Sequence, residues 1–465
     1  MNVHGLISRS ILAGGMAIAM SPAIAQYWEP AGIPVLMPSP YICYADTAQD
    51  ALYLGGGCFP YGNGVGEYRL YRYQGGVWDS IGSFGNEIRA AIVYHDTLIV
   101  GGAYHTVGDT AIEKIACYAG GSWHPYGNIH GAVSRLRLID GQLYALGIFD
   151  TVDGYFCNGL TKRVGGHWEN VGVLPEFNGD GSAWFQDAIR YQDKLVVTGN
   201  FTSADGSIHD IMEYDGSSWQ PVCDCMHGGF DGGGVLAEYQ GDLYLGGIFY
   251  YGSSNVGQGL MKWDGEQWSM VGQPGGGLQL YNNSDAYSPT INGFLVKDGL
   301  LLVGGAFHFA DHLAANNVAS WDGSHWCSLG GTLDGEVTRM TFYHDSLYVG
   351  FGPGPNADGV PVNGVARFIG SSYQENCADA GIAEAVQENG ELHVLPIGPA
   401  SIALSGLTDG PHELQIYDAE GRMIVEKQVH SSADRSDEVD MGPCVSALYI
   451  VRVDGVQTAK FIPMQ

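Results

Sequence analysis

A chain of 465 residues is long enough for two or three domains, or for one repeat-built domain with an appendage. Its 71 glycines are about twice the usual share, yet hydrophobic residues make up 45% and aromatics 11%, which argues against disorder and for turn-rich all-β structure. The formal charge of −30, from 50 acidic against 20 basic side chains, repels phosphate backbones and anionic lipid. No nucleic acid partner is expected, and the acidity reads as solubility outside the cell or attraction for cations.

Residues 1–25 carry Arg9, an apolar run from Ile11 to Met20, and Ala23-Ile24-Ala25. This is the pattern of a cleaved signal peptide. No segment offers the roughly 18 uninterrupted apolar residues of a membrane-spanning helix, so no transmembrane segment is expected. The nine cysteines all follow the signal, in a compartment that lets disulfides persist. An odd number leaves at least one thiol outside any intrachain pairing, and the connectivity stays open. Cys223-Asp224-Cys225 has no second Cys or His pair at zinc spacing.

The organising signal is a short apolar strand that ends in Gly and recurs seven times, beginning at Leu52, Leu98, Leu143, Leu195, Leu243, Leu301 and Leu347. The successive periods are 46, 45, 52, 48, 58 and 46 residues, which suits a four-stranded propeller blade. Each unit has an upstream strand, as in Ile88–Tyr94, and a polar turn such as His95-Asp96 or Asp140-Gly141. The Gly strand follows, then a third strand and a Gly-Gly or Asp-Gly turn that leads into Trp78, Trp123, Trp168, Trp219, Trp268 or Trp326. The seventh unit has Tyr373 at that place. One such sheet cannot cover both of its faces, so the blades are expected to stack around an axis with the Trp packed between neighbours.

Tyr27-Trp28-Glu29-Pro30-Ala31-Gly32 reads like the last strand of the repeat, as in Ser122–Gly127. It is expected to complete the final blade and close the circle, with Ser372-Tyr373-Gln374 as the alternative strand. The units Leu301–Phe307, Asn316–Gly323 and Trp326–Gly330 resemble the kelch-like and galactose-oxidase-like propeller repeats of secreted bacterial proteins. The resemblance implies a seven-bladed β-propeller over residues 26–376 and says little about function, because such propellers include binding modules, scaffolds and enzymes.

Residues 377–389 read as a linker. A new set of short alternating strands follows in 390–465, at Leu392–Leu395, Ile402–Leu404, Leu414–Tyr417, Met423–Val425 and Leu448–Val453, and reads as a small C-terminal β-sandwich. The order of Ile402–Leu407, Leu414–Arg422 with its Asp-x-x-Gly-Arg turn, Ala447–Val453 and Lys460 resembles the type A C-terminal sorting domain of the type IX secretion system. Pro396-Ile-Gly-Pro399 and Ala447 depart from that family's Pro-Asn-Pro and Gly. The resemblance implies type IX secretion machinery as a partner, and a mature chain that is released or displayed on the outer surface by way of the periplasm.

The chain contains no G-x-S-x-G, H-E-x-x-H, P-loop or EF-hand sequence. The strongest metal candidate is His308, Asp311 and His312, which a loop would have to bring together. Asp153, Asp205 and Asp311 share one repeat position, where a turn role competes with binding of a divalent cation. No cofactor is required.

The three longest units hold much of their extra length after the Trp strand, in 173–184, 223–234 and 273–289. In a propeller these connections emerge on the same face as the loops between second and third strands. They carry Phe177, Trp184, Phe230, Tyr281 and Tyr287 among polar residues, a mixture suited to contact with a glycan or protein. The expectation is a noncatalytic secreted or surface binding protein. The alternatives are an extracellular carbohydrate-active or oxidative enzyme, for which clustered carboxylates or His at the channel mouth would argue, and an adhesin scaffold.

Overall fold

The computed structural model describes residues 26–37, 39–58, 67–178, 183–222, 234–249, 256–272, 277–279, 289–311, 313–352, 356–377, 393–398, 401–405, 410–418, 422–431, 437–440, 449–454 and 457–461. Residues 1–25, the expected signal peptide, lie outside them. The described residues are all-β and contain no helix.

The repeat becomes a set of antiparallel sheets, each a meander of inner strand, Gly strand, third strand and outer strand. The first has Ser39–Asp46, Ala51–Cys58, Glu67–Gln74 and Val77–Phe84, and the second Ile88–Tyr94, Thr97–Gly102, Ile115–Ala119 and Ser122–Pro125. The third has Ile129–Ile139, Gln142–Val152, Leu160–Val164 and His167–Asn170, and the fourth Trp184–Tyr191, Lys194–Thr202, His209–Tyr214 and Trp219–Pro221. The fifth has Gly234–Tyr239, Asp242–Gly247, Leu260–Trp263 and Trp268–Met270, and the sixth Thr290–Lys297, Leu300–Ala306, Val318–Trp321 and Trp326–Ser328. The seventh has Glu336–Tyr343, Ser346–Gly352 and Val365–Phe368, and takes Trp28–Pro30 as its outer strand.

The inner strands of consecutive sheets touch, from the first through the seventh, and the seventh touches the first. Apolar clusters lie between consecutive sheets rather than inside any one. Ile42, Leu70, Ile88 and Val100 join the first two, Leu236, Met261, Val196 and Ile211 the fourth and fifth, and Leu52, Leu54, Tyr343 and Val365 the last and first. This is the packing of a propeller, in which a sheet has no core without its neighbour.

The repeated Trp marks those interfaces. Its indole N–H donates to a carbonyl of the preceding unit: Trp123 to Ile81 at 2.6 Å, Trp168 to Tyr126 at 3.0 Å, Trp219 to Val171 at 3.0 Å and Trp326 to Val271 at 3.3 Å. Trp28 donates in the same way to Gly330, at 3.2 Å, although 302 residues separate the two. Trp28 is therefore the seventh member of the series.

The two readings of the last outer strand are thus resolved. Trp28, Glu29 and Pro30 pair with Phe368, Arg367 and Ala366, and Glu29 makes an ion pair with Arg367. Both oxygens of Asp358 gather the junction: Oδ2 accepts from the Tyr27 and Trp28 amides, and Oδ1 from the Thr332 amide. Tyr373 packs against Phe342 and Phe368 instead of pairing in that sheet. The chain then returns Asn376–Cys377 to the edge of the sixth sheet, where Cys377 is bonded to Cys327. Cys377 therefore belongs to this sheet and not to a linker.

Two further sheets follow. His393–Gly398, Ser401–Ser405 and Asp437–Asp440 form one; Met423–Ser431, Gly410–Asp418, Tyr449–Val453 and Gln457–Phe461 form the other. Alternate residues Leu414 and Ile416, paired with Val453 and Val451, are buried, as are Ile402 and Val439 of the smaller sheet. Asp437–Asp440 and Gln457–Phe461 escape the sequence reading because their polar residues hide the alternation.

Candidate functional site: an arginine-lined central cavity

The inner strands share one irregularity. All but that of the fifth sheet carry an extra residue that breaks their register with the Gly strand, namely Tyr41, Arg89, Ser134, Gln186, Asn292 and Thr338. A bulge bends a strand and turns side chains in a new direction. It also drives the inner backbone against the Gly strand. A Cβ on Gly199 would stand 2.0 Å from the Trp184 carbonyl oxygen, and one on Gly305 1.8 Å from that of Thr290. At these positions the terminal Gly is therefore set by the bulge, although the fifth Gly strand ends in Gly247 without one.

Just beyond the bulge, the third, fourth and seventh inner strands place Arg135, Asp187 and Arg339, with Arg137 two residues past Arg135 on the same strand face. Asp187 is fully buried. Its Oδ1 accepts from Arg137 Nε at 2.6 Å and from the Ala188 amide at 2.9 Å. Its Oδ2 accepts from Arg137 Nη2 at 2.6 Å and from the Leu236 amide at 3.0 Å, so one carboxylate ties together the inner strands of three sheets. Burial alone would raise the Asp187 carboxyl, but Arg137, Arg135 and the Leu236 amide hold it below the usual range.

Arg135 stands outside this exchange. Its Nε is 4.0 Å from Asp187 Oδ1 and donates to the Gln186 carbonyl at 3.1 Å. Arg339 donates from Nη1 to the Thr338 carbonyl at 2.7 Å. Neither guanidinium has a carboxylate hydrogen-bonded to it among the described residues. Burial, and then the like charge of Arg135, pull the Arg339 guanidinium down to about 9, with Asp187 opposing; the group stays charged at neutral pH. Burial lowers Arg135 as well, against the pull of Asp187.

The two arginines line a cavity of about 110 Å³ with Gln186, Gly234, Thr290 and Asn292. The Gln186 side-chain nitrogen is buried without a hydrogen-bond partner among the described residues. Asn292 Nδ2 is engaged, donating to Glu336 Oε1 at 2.6 Å and to the Val337 carbonyl at 2.9 Å. A chain with a net charge of −30 thus holds a cationic pocket between its inner strands.

The cavity lies at the end of the inner strands where the long connections enter. Gly234 is the last residue of the connection 223–234, Thr290 directly follows the one ending at 289, and Gln186 lies just past the one ending at Trp184. The loops between second and third strands reach the same face, since Ala204 N donates to Glu176 O and Asp311 N to Gly277 O.

The residues predicted for contact fare unequally. Phe177 is buried, with Phe185 and Phe201 edge-on at 5.9 and 5.4 Å, so it anchors its connection to the core and offers no contact surface. Trp184 is half-buried on the fourth inner strand and donates from its indole to Ser134 Oγ at 3.2 Å. Phe230, Tyr281, Tyr287 and the metal candidate His312 lie outside the described residues. Asp311 is buried and accepts the Gly277 amide, while His308 is half-buried with its ring pulled below the usual range by burial. Asp153 accepts the Asn128 amide in the same way, and Asp205 holds Ser203 and Ser207 of its own turn. Turn and junction capping accounts for these aspartates. Among the described residues, no three His, Cys, Asp or Glu side chains are placed to hold a metal ion.

Sequence reasoning misses Arg135, Asp187 and Arg339, although a signal exists. Each stands eight residues before the first Leu of its Gly strand, where the second unit has Ala90 and the sixth Gly293. A charge at the centre of a strand that is otherwise buried requires a partner.

No protein-family model matches the chain, and no curated protein does. Among solved structures, the chain is similar to the β-propeller domain of the Trilobed protease from Pyrococcus furiosus, with an open velcro topology. That likeness has 12% identity and a TM-score of 0.36, covering 66% of this chain and 85% of that one. It is also similar to a structure from work on two prolyl endopeptidases, with 9% identity and a TM-score of 0.34, covering 81% of this chain and 56% of that one.

Proposed function

We propose that the chain is an exported, noncatalytic binding protein built as a seven-bladed propeller with a C-terminal β-sandwich, and that it engages an extracellular glycan or protein at the face where the long connections emerge. The observation that carries this reading is the position of the cationic cavity, at the floor of that face and beside strands fed by those connections. Ligands of ring-shaped folds are held where several units converge, because each supplies one side chain to a shared centre.

The enzyme alternative calls for clustered carboxylates or His at the same mouth. The carboxylates found beside the cavity are committed: Asp187 to Arg137 and two amides, Glu336 to Asn292. Two arginines with amide side chains suit recognition better than proton transfer.

The test is a glycan array and surface-protein capture with the chain from residue 26. Replacing 224–231 and 281–287 by short Gly-Ser segments should abolish the binding detected while leaving the unfolding midpoint in place; unchanged binding contradicts the reading. For export, the C-terminal sheets are assigned the sorting role of the type IX domain they resemble. Deleting 390–465 should leave the propeller in the periplasm, and its normal appearance in the medium contradicts that assignment.

A further inference from the structure

We infer that the central cavity is an oxyanion site, in which Arg135, Arg339 and the Gln186 amide receive one carboxylate, sulfate or phosphate group of the ligand. The inference deepens the binding reading above by naming the chemistry at the floor of that face, and it rests on that reading for its place in a larger ligand.

Three features converge. First, both guanidiniums border the same space and neither is hydrogen-bonded to a carboxylate among the described residues, whereas Arg137 beside them is bidentate to Asp187. Second, Asp187 has no capacity left. Its two oxygens already accept four N–H donors, and Arg135 stays at 4.0 Å. Third, Gln186 brings a buried side-chain N–H₂ with no partner among the described residues to the same wall. Unpaired buried donors are rare in native folds because each loses its hydration without replacement. A planar or tetrahedral oxyanion supplies several acceptors to such donors at once, which a point anion does not.

Size agrees with a single group. The cavity, of about 110 Å³, has room for several waters and so for one small oxyanion. A larger ligand bound through that group would continue above it, among the connections.

The experiment is calorimetric titration of the chain from residue 26 in chloride-free buffer. Acetate, sulfate and phosphate are the simple probes; glucuronate and an N-acetylated dipeptide with a free carboxylate distinguish a sugar source from a peptide source. One saturable site per chain is expected for at least one simple probe. Arg339→Met and Arg135→Met should each weaken it at least tenfold, while Arg190→Met, which removes a partner of Asp140 on another part of the sheet, should leave it unchanged. Gln186→Leu gives an independent check if an arginine variant does not fold. The inference is overturned if no probe saturates, or if the cavity variants bind as the unmodified chain does. Oxyanion binding that survives alongside macromolecular binding indifferent to the connections would keep this inference and remove the loop-face reading; the reverse pattern would do the opposite.

Discussion

Arg137 and Asp187 form a bidentate pair across the third and fourth inner strands, with two N–H···O contacts of 2.6 Å on a fully buried carboxylate. Removing one member leaves the other charged and buried. Asp187→Ala is expected to destabilise the chain by about 3–5 kcal/mol, measured by urea unfolding, and Asp187→Asn by less because an amide keeps part of the hydrogen bonding. The pH dependence has a fixed sign. The carboxyl is held below its ordinary value, so its contribution is complete above the normal carboxylate range and is lost as pH falls through the depressed folded value. Asp187→Asn should therefore flatten the acid limb of the stability curve.

Asp210 behaves in the opposite way. Burial raises its carboxyl to about 7, with the Phe201 amide only partly opposing. Because the folded value exceeds the unfolded one, stability falls as pH rises from about 4 to about 7, and the penalty persists above. Asp210→Asn should leave stability nearly unchanged at the acid end of that range and raise it at pH 8. Equal effects at both pH values would contradict the assignment.

Trp28 joins the N-terminal strand to the seventh sheet by pairing with Phe368 and donating to Gly330. Trp28→Ala should cost about 3–5 kcal/mol. Trp28→Phe should cost nearer 1 kcal/mol, chiefly the indole hydrogen bond. Both are read from unfolding midpoints in urea. The same Phe substitution at Trp123, which donates to Ile81, should have a similar effect, since the two sites are equivalent in the repeat.

The Cys327–Cys377 disulfide spans 50 residues and encloses three strands of the seventh sheet, Glu336–Tyr343, Ser346–Gly352 and Val365–Phe368. On the chain-entropy model, closing a loop of that length is worth about 4 kcal/mol. Cys377→Ser should lower the unfolding midpoint by a corresponding amount, and a reductant should lower that of the unmodified chain by more than that of the variant.

Most of the propeller is legible in the sequence because its repeat is enforced by physics at each copy. At Gly199 and Gly305 the Gly strand ends where a bulge leaves no room for Cβ, and the Trp recurs where an indole must reach a neighbour's carbonyl. The pairing of the N-terminal strand with the seventh sheet is legible too, since Trp28 has the flanking residues of the other outer strands. The site is not. Arg135, Asp187 and Arg339 occupy one repeat position but come from different units, and their meeting depends on the circle bringing the third strand set near the seventh. Phe177 misleads for the converse reason: an aromatic in a long connection looks like a contact residue until its partners Phe185 and Phe201 are known to surround it.

The functional account turns on Arg135 and Arg339 having no carboxylate hydrogen-bonded to them among the described residues, so that an oxyanion can enter between them. Anomalous diffraction from crystals soaked in selenate tests it directly. The account predicts a selenium peak in the cavity within hydrogen-bond reach of both guanidiniums and the Gln186 amide. Arginines turned onto protein carboxylates, with no peak between them, would contradict it.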